Sequence, residues 1–276
     1  LQMFDRSSLE ELVAKHETPF MVLDLSEIDY QYKSLQAALP GVKLFYALKA
    51  LSHPELIKRL KSLGSNFDLA TIGEVELVES LGIKGDQCIH THPIKKDKEI
   101  QRALDFGCNR FVVDNMAEMK KFIKYAGKVE LIIRVSFRSK QAVVDLSRKF
   151  GCALEELPQL VELAQKNGIE VVGLSFHVGS QSLSPMTQSN AIRASVAAMK
   201  VMNSVNWKFL DIGGSFPVSY QETVLPIDDF CAPLMEALSE LPEGIEVFAE
   251  PGRFISAPSM IEVVSVVGKA KRGART

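Results

Sequence analysis

With 276 residues, 46% of them apolar and 24% charged, the chain has the composition of an ordinary globular protein and a length near the ~250 residues typical of one α/β barrel. A net charge of −2 gives no electrostatic footprint for nucleic acid or an anionic membrane surface as partner. No apolar stretch approaches the ~18 residues that crossing a bilayer requires, no signal-peptide pattern opens the sequence, and Cys88, Cys108, Cys152 and Cys231 lack the spacing of a metal site or disulfide framework, which suits a reducing cytoplasm.

Apolar, β-branched runs alternate with segments of helical period along the whole chain. Residues 1–18 read as a lead-in, and Leu1 in place of Met points to a chain that starts inside a longer one. A short strand is expected over 19–25. The run 43–48 is the first of eight predicted barrel strands; 67–70, 87–90, 110–113, 130–135, 171–176, 208–212 and 246–249 follow. Between them apolar residues recur three or four apart, as in Leu56, Ile57, Leu60 and Leu63, in Val75, Leu77, Val78 and Leu81, and in Leu157, Leu160, Val161 and Ala164. Gly64, Gly82, Gly107, Gly127 and Gly168 stand where these helices stop. Eight strands with interleaved helices, and no Gly-x-Gly-x-x-Gly after the first, predict a closed (β/α)8 TIM-type barrel over 19–258 in preference to an open doubly wound sheet. The polar stretch 136–147, with Arg138, Ser139, Lys140 and Gln141, reads as a loop at the barrel mouth. Within 259–276, residues 261–267 are expected as one more strand, ending in a solvated basic run from Lys269.

Barrel enzymes carry their chemistry at the carboxyl ends of strands, which makes those positions an inventory. Here they are Lys49, Asp68, His90 with His92, Asp114, Arg134, His177, the Gly213-Gly214 pair and Glu250. Asp114 reads as the N-cap of a helix starting near Ala117, and His90 and His92, flanking Pro93, as satisfying local backbone. Two motifs resist such readings. Asp211-Ile212-Gly213-Gly214-Ser215-Phe216-Pro217 follows the seventh strand, where adjacent glycines let the backbone approach an anion. Glu250-Pro251-Gly252-Arg253 follows the eighth and places an arginine to meet the same anion. A Gly-Gly pair alone is as often a tight turn, but with Arg253 and Gly179-Ser180 it reads as a phosphate cradle. Lys49, at the end of the first strand, is an amine able to form a Schiff base with a carbonyl compound. Cradle and amine together suggest a phosphorylated aldehyde. Pyridoxal 5'-phosphate fits, with Glu250 keeping its pyridine nitrogen protonated and His177 against the ring face.

These residues carry a resemblance. Tyr46-Ala47-Leu48-Lys49, Phe67-Asp68, Phe176-His177-Val178-Gly179-Ser180-Gln181, Asp211-Ile212-Gly213-Gly214 and Glu250-Pro251-Gly252-Arg253 resemble, in that order, the fold-type III pyridoxal-phosphate decarboxylases with an alanine racemase-like barrel. The likeness is strongest to ornithine and bacterial lysine/ornithine decarboxylases, with diaminopimelate decarboxylase second. It implies decarboxylation of a basic amino acid, with Lys49 as the Schiff-base amine, Glu250 as the pyridinium partner and His177 stacked on the ring. Ser180, Gly213, Gly214, Gly252 and Arg253 then hold the cofactor's phosphate side, Asp68 and Arg134 support the Schiff base and ring, and Glu74 joins that network. Ser215 departs from the glycine usual there and either hydrogen-bonds the phosphate or crowds it. The resemblance further implies a cytoplasmic homodimer with shared sites, a small amino-acid substrate, no metal, and a β-rich second domain toward which 259–276 leads. A modified amino acid as substrate, a racemase, a stand-alone cofactor-binding barrel and a non-catalytic regulatory homologue remain open alternatives.

Overall fold

The computed structural model describes residues 6–137, 142–144, 149–220 and 222–271. After α1 (Arg6–Lys15) and β1 (Phe20–Leu23), the chain runs through α2 (Leu25–Ala38), β2 (Val42–Ala47), α3 (Pro54–Ser62), β3 (Asn66–Leu69), α4 (Ile72–Ser80), β4 (Cys88–His90), α5 (Asp97–Phe106), β5 (Arg110–Val113), α6 (Met116–Lys121) and β6 (Glu130–Val135). Next come β7 (Ala142–Val144), α7 (Leu157–Lys166), β8 (Glu170–Phe176), β9 (Ser180–Ser182), α8 (Pro185–Val201), β10 (Phe209–Asp211), α9 (Ile227–Leu238), β11 (Glu246–Ala249), α10 (Arg253–Ser256) and β12 (Met260–Val263). Each of the eight predicted barrel strands is present within a residue or two of its expected bounds. Local chemistry sets the helix starts. Asp24 caps α2 by accepting from Ser26 N at 2.8 Å, Pro54 occupies the first turn of α3, and Thr71 and Glu74 form a reciprocal capping box on α4.

The strands close into a parallel barrel in the order β10-β11-β2-β3-β4-β5-β6-β8, the last pairing back to the first. Period-two alternation then divides every strand into two faces. Facing outward, Leu44, Phe67, Phe111, Val113, Leu131 and Leu210 join the helices' apolar stripes in one large core. Facing inward, Phe45, Ile89, Val112, Ile132, Val172, Phe209 and Phe248 form a separate seven-residue cluster filling the barrel at mid-height. Phe248 anchors it, with ring centroids 4.6 Å from Phe45 and 4.9 Å from Phe209, contacts worth about 0.5–1.5 kcal/mol each beyond area burial.

The same alternation fixes what lies above and below. Two positions back along the strands come the charged residues Lys43, Arg110, Glu130 and Glu246. They form ion pairs across the amino-terminal end, where Arg110 Nε and Lys208 Nζ each reach Glu130 at 3.0 Å and Lys43 pairs with Glu246. Burial pushes the Glu130 carboxyl up, and the hydrogen bonds from Lys208 and Arg110 outweigh it, so the net direction is down. Two positions forward come Ala47, Thr91, Asp114, Arg134, Asp211 and Glu250, at the carboxyl end, and Asp68 stands two beyond Asn66 on β3.

Outside the barrel, β1 and β12 pair antiparallel from Phe20↔Val263 to Leu23↔Met260. The strand expected over 261–267 therefore starts one residue earlier and stops at Val263; residues 264–271 carry no regular structure. The predicted mouth loop 136–147 falls largely outside the described residues. Where it is described, β7 pairs with β9. No described helix is long and apolar enough to cross a membrane.

Candidate active site

Lys49 sits in a single turn (Leu48–Ala50) that continues β2, so its side chain rises over the carboxyl-terminal rim. Its Nζ lies 3.3 Å from Asp68 Oδ2, on the neighbouring β3. Asp68 is 2% exposed and accepts a second hydrogen bond, from the Thr91 hydroxyl beyond the end of β4. The nearby Asp68 charge raises the Lys49 amine above the ordinary lysine range; burial opposes this and Glu250 adds to it. Although barrel atoms surround it, the Lys49 side chain keeps 55% of its surface through the open mouth, so water screens much of that attraction.

Across the mouth, Glu250 is held by the backbone. Its N–H donates to Gly213 O at 2.9 Å, and Ala47 N donates to Pro251 O at 3.0 Å, which ties the Lys49 turn to the Glu250 turn. The closeness of these turns explains the glycines. A Cβ on Gly214 would stand 1.8 Å from Glu250 O, and Gly213 takes φ 70 with Phe176 O against its open side. Asp211, 1% exposed, accepts from Gly213 N at 2.9 Å. The Gly213 amide thus turns into the barrel, and the pair serves by letting two loops nest.

Burial, with the carboxylates of Asp211 and Asp68 close by, pushes the Glu250 carboxyl well above its ordinary range; burial also raises Asp211, to about 6. Glu250 Oε1 is buried and makes no hydrogen bond, a position that a ligand nitrogen suits. Arg134, on β6, feels the charges of Glu250, Asp114, Asp211 and Asp68 after the larger effect of burial, which lowers it, and its guanidinium lies 5.4 Å from the Phe150 ring centre. His177, at the end of β8, accepts from Gly179 N through Nδ1 at 3.0 Å. Burial, then Arg134 and Lys49, depresses it to about 3, leaving a neutral ring.

A cavity of about 550 Å³ opens here, lined by Lys49, His177, Ser180, Gly214, Glu250, Gly252 and Arg253 together with the apolar Met21, Leu51, Ala257 and Met260. The structure thus gathers seven of the predicted positions around one space. Asp68, Arg134 and Gly213 lie behind that lining. Glu74 spends its Oε2 on Ala70 N and Thr71 N, at 2.6 and 3.0 Å, so its place in the network is as a helix cap; burial raises its carboxyl.

Three expectations need correction. Asp114 does not cap α6. Asn115 does, accepting from Glu118 N at 2.9 Å, while Asp114 accepts from Gly151 N at 2.8 Å and pins the far side of the mouth. His92 bonds local backbone at Ile94, but His90 does not: it points outward against Phe111, with both ring nitrogens buried and unpartnered. Ser215 faces the protein, not the cavity. It is fully buried, its hydroxyl 3.5 Å from His177 Nδ1. Thr91 and Tyr220 were not singled out by sequence reasoning, and Asp211 entered only as the first residue of the glycine motif, without a role of its own. Alternation from Ile89 would have found Thr91, and alternation from Phe209 would have found Asp211; nothing in the sequence marks Tyr220.

Comparison with known proteins matches residues 25–257 to the model of the pyridoxal-dependent decarboxylase pyridoxal-binding domain. The lysine/ornithine decarboxylase of Selenomonas ruminantium is 34% identical over 271 residues, covering 96% of this chain and 68% of that protein. The chloroplastic ornithine decarboxylase of Nicotiana glauca is 32% identical, over 99% of this chain and 64% of its own length. Among solved structures, the lysine/ornithine decarboxylase of Vibrio vulnificus complexed with putrescine superposes with a TM-score of 0.91 at 48% identity, covering 96% of this chain and 72% of that one. Pyridoxal phosphate fits the residues present on two observations independent of these likenesses: the buried, orphaned Glu250 Oε1, and Arg253, Ser180 and Gly214 lining the same cavity as the Lys49 amine. On fold, site and kinship alike, the chain belongs to the pyridoxal-dependent decarboxylases and contains their pyridoxal-binding barrel.

Proposed function

We propose that this barrel is the cofactor-bearing part of a decarboxylase that converts a basic amino acid of the ornithine or lysine type to its amine. The observation that carries the reading is the Glu250 carboxyl, one oxygen of it buried without a partner, lining the same cavity as the Lys49 amine. Bound pyridoxal phosphate supplies an aldehyde that condenses with amines and a ring that accepts the electron pair left when CO₂ departs.

The chain's own residues supply the rest. Lys49, on the cavity wall, is the amine that would hold the cofactor. Asp68, steadied by Thr91, orients the Lys49 amine and favours its charged form. Glu250 would face the ring nitrogen of a bound cofactor and hold a proton there, with the Arg134 charge close enough to oppose its own. His177, neutral and fixed by Gly179 N–H, offers a flat wall that adds no positive charge against the ring. Ser180, Gly214, Gly252 and Arg253 take the phosphate side. The name of the Vibrio neighbour's ligand, a short diamine, supports a substrate whose side chain ends in an amine.

The reading extends to a homodimer with shared sites in the cytoplasm. Support comes from the exposure of Lys49, which leaves the mouth wetter than carbanion chemistry tolerates unless something covers it, and from four buried, unpaired cysteines. The test is direct. Purified protein given pyridoxal phosphate is expected to develop a visible absorbance band, and borohydride followed by peptide mapping to place the label on Lys49. Amine release from ornithine and lysine then identifies the substrate. A label on another lysine, with Lys49→Ala retaining full turnover, refutes the assignment.

A further inference from the structure

Tyr220 lies on the segment after β10, outside the sheet. Its hydroxyl accepts from Arg253 Nη1 at 3.0 Å, and its ring centre is 5.9 Å from the guanidinium carbon. Both side chains line the mouth cavity, as do Ser180 and Gly214. A phenol has one proton to give. When its oxygen accepts from a cation, that proton points elsewhere, and the cation makes it a stronger donor. The Arg253–Tyr220 pair therefore presents guanidinium N–H groups and a polarised O–H to one corner of the cavity.

The pose is held from below. Val218, two residues before Tyr220, is bracketed by the Gln181 side-chain amide: Val218 N donates to Oε1 at 3.0 Å, and Nε2 donates to Val218 O. Gln181 does this with φ 59, the left-handed region that residues bearing a Cβ rarely enter. Ser182 N adds a bond to Ser215 O at 3.2 Å, and Ser219 Oγ donates to Glu222 O at 2.9 Å. A disfavoured backbone conformation thus fixes a segment that contributes no strand to the barrel. What it places is the Tyr220 side of the cavity.

We propose that Tyr220 is a positioning and phosphate-binding residue of the cofactor site, steadying Arg253 and directing its own hydroxyl proton to the phosphoryl group. This rests on the cofactor reading above and adds to it a residue that no motif carries.

The experiment compares pyridoxal phosphate with pyridoxal, which shares the ring and aldehyde and lacks the phosphate. Dissociation constants for both are measured by absorbance titration on the unaltered protein, Tyr220→Phe and Gln181→Leu. Tyr220→Phe keeps the ring over Arg253 and deletes only the proton, at a site exposed enough to leave folding intact, which the thermal midpoint checks. The expected result is about a tenfold loss of affinity for pyridoxal phosphate, the size of one hydrogen bond to a charged group, with pyridoxal binding unchanged. Gln181→Leu is expected to show the same selective loss. Equal losses for both ligands, or no loss for either, overturn the proposal. If the unaltered protein binds pyridoxal but shows no preference for the phosphorylated form, the phosphate corner itself is misassigned. Absence of any band with either ligand refutes the Lys49 cofactor reading, and the role of Tyr220 with it.

Discussion

Replacing Asp68 with Asn tests the electrostatics that set the reactivity of Lys49. Only a free amine attacks an aldehyde, and Asp68 favours the charged form, standing 3.3 Å from Nζ. Coulomb attraction over that distance is about 1.3 kcal/mol at the dielectric of water and about 5 kcal/mol at an effective value of 20. With 55% of the Lys49 side chain exposed, the lower figure applies, equivalent to about one pKa unit. The sign follows from the direction of the shift. Asp68 raises the amine's pKa, so Asp68→Asn lowers it and increases the free-amine fraction at any pH below it. Condensation with pyridoxal phosphate, followed by stopped-flow absorbance from pH 6.5 to 10, is expected to run about tenfold faster at each pH, so that the rising rate profile is displaced down by about one unit. Asn retains an oxygen for the Thr91 hydroxyl, so the comparison isolates charge. A profile that stays in place or moves up shows that Asp68 does not govern the amine.

Two further outcomes rest on packing and burial. Gly214→Ala drives a Cβ to 1.8 Å from Glu250 O, so urea denaturation is expected to show a loss of about 1–3 kcal/mol, together with weakened cofactor binding; unchanged stability contradicts the nested-loop account. His90 is 1% exposed, and burial depresses it to about 3. The unfolded chain therefore binds more protons between that value and the ordinary 6.5, and stability falls as pH drops through this window. His90→Leu is expected to flatten the dependence, losing about 2 kcal/mol less than the parent between pH 6.5 and pH 5 in denaturant titrations; parallel curves refute it.

How much of this was legible in the sequence follows from which signals are local. Strand positions were, because apolar β-branched runs between helical stripes admit few arrangements, and the Gly213-Gly214 and Glu250–Arg253 motifs lie within a few residues of their strands. Side-chain direction was the weaker part. Reading His90 as a strand-end residue ignored the pleat: Ile89 faces the interior cluster, so Thr91 faces it next and His90 faces the helices. Asp114 misled for a related reason. An acid before a helix is a good cap on local grounds, but the inward register gave that carboxylate to Gly151 and left the cap to Asn115. Tyr220 was invisible because its partner, Arg253, lies 33 positions away, and only the closed barrel brings the two together.

The seven-residue plug at mid-height, backed by ion pairs at the amino-terminal end, makes the barrel a blind tube. Whatever reaches Lys49 arrives and leaves through one door. A product amine on its way out thus stands in the path of the next amino acid, and its departure competes with the arrival it must permit. In such an architecture, whatever sits at the entrance sets the pace as much as the chemistry within.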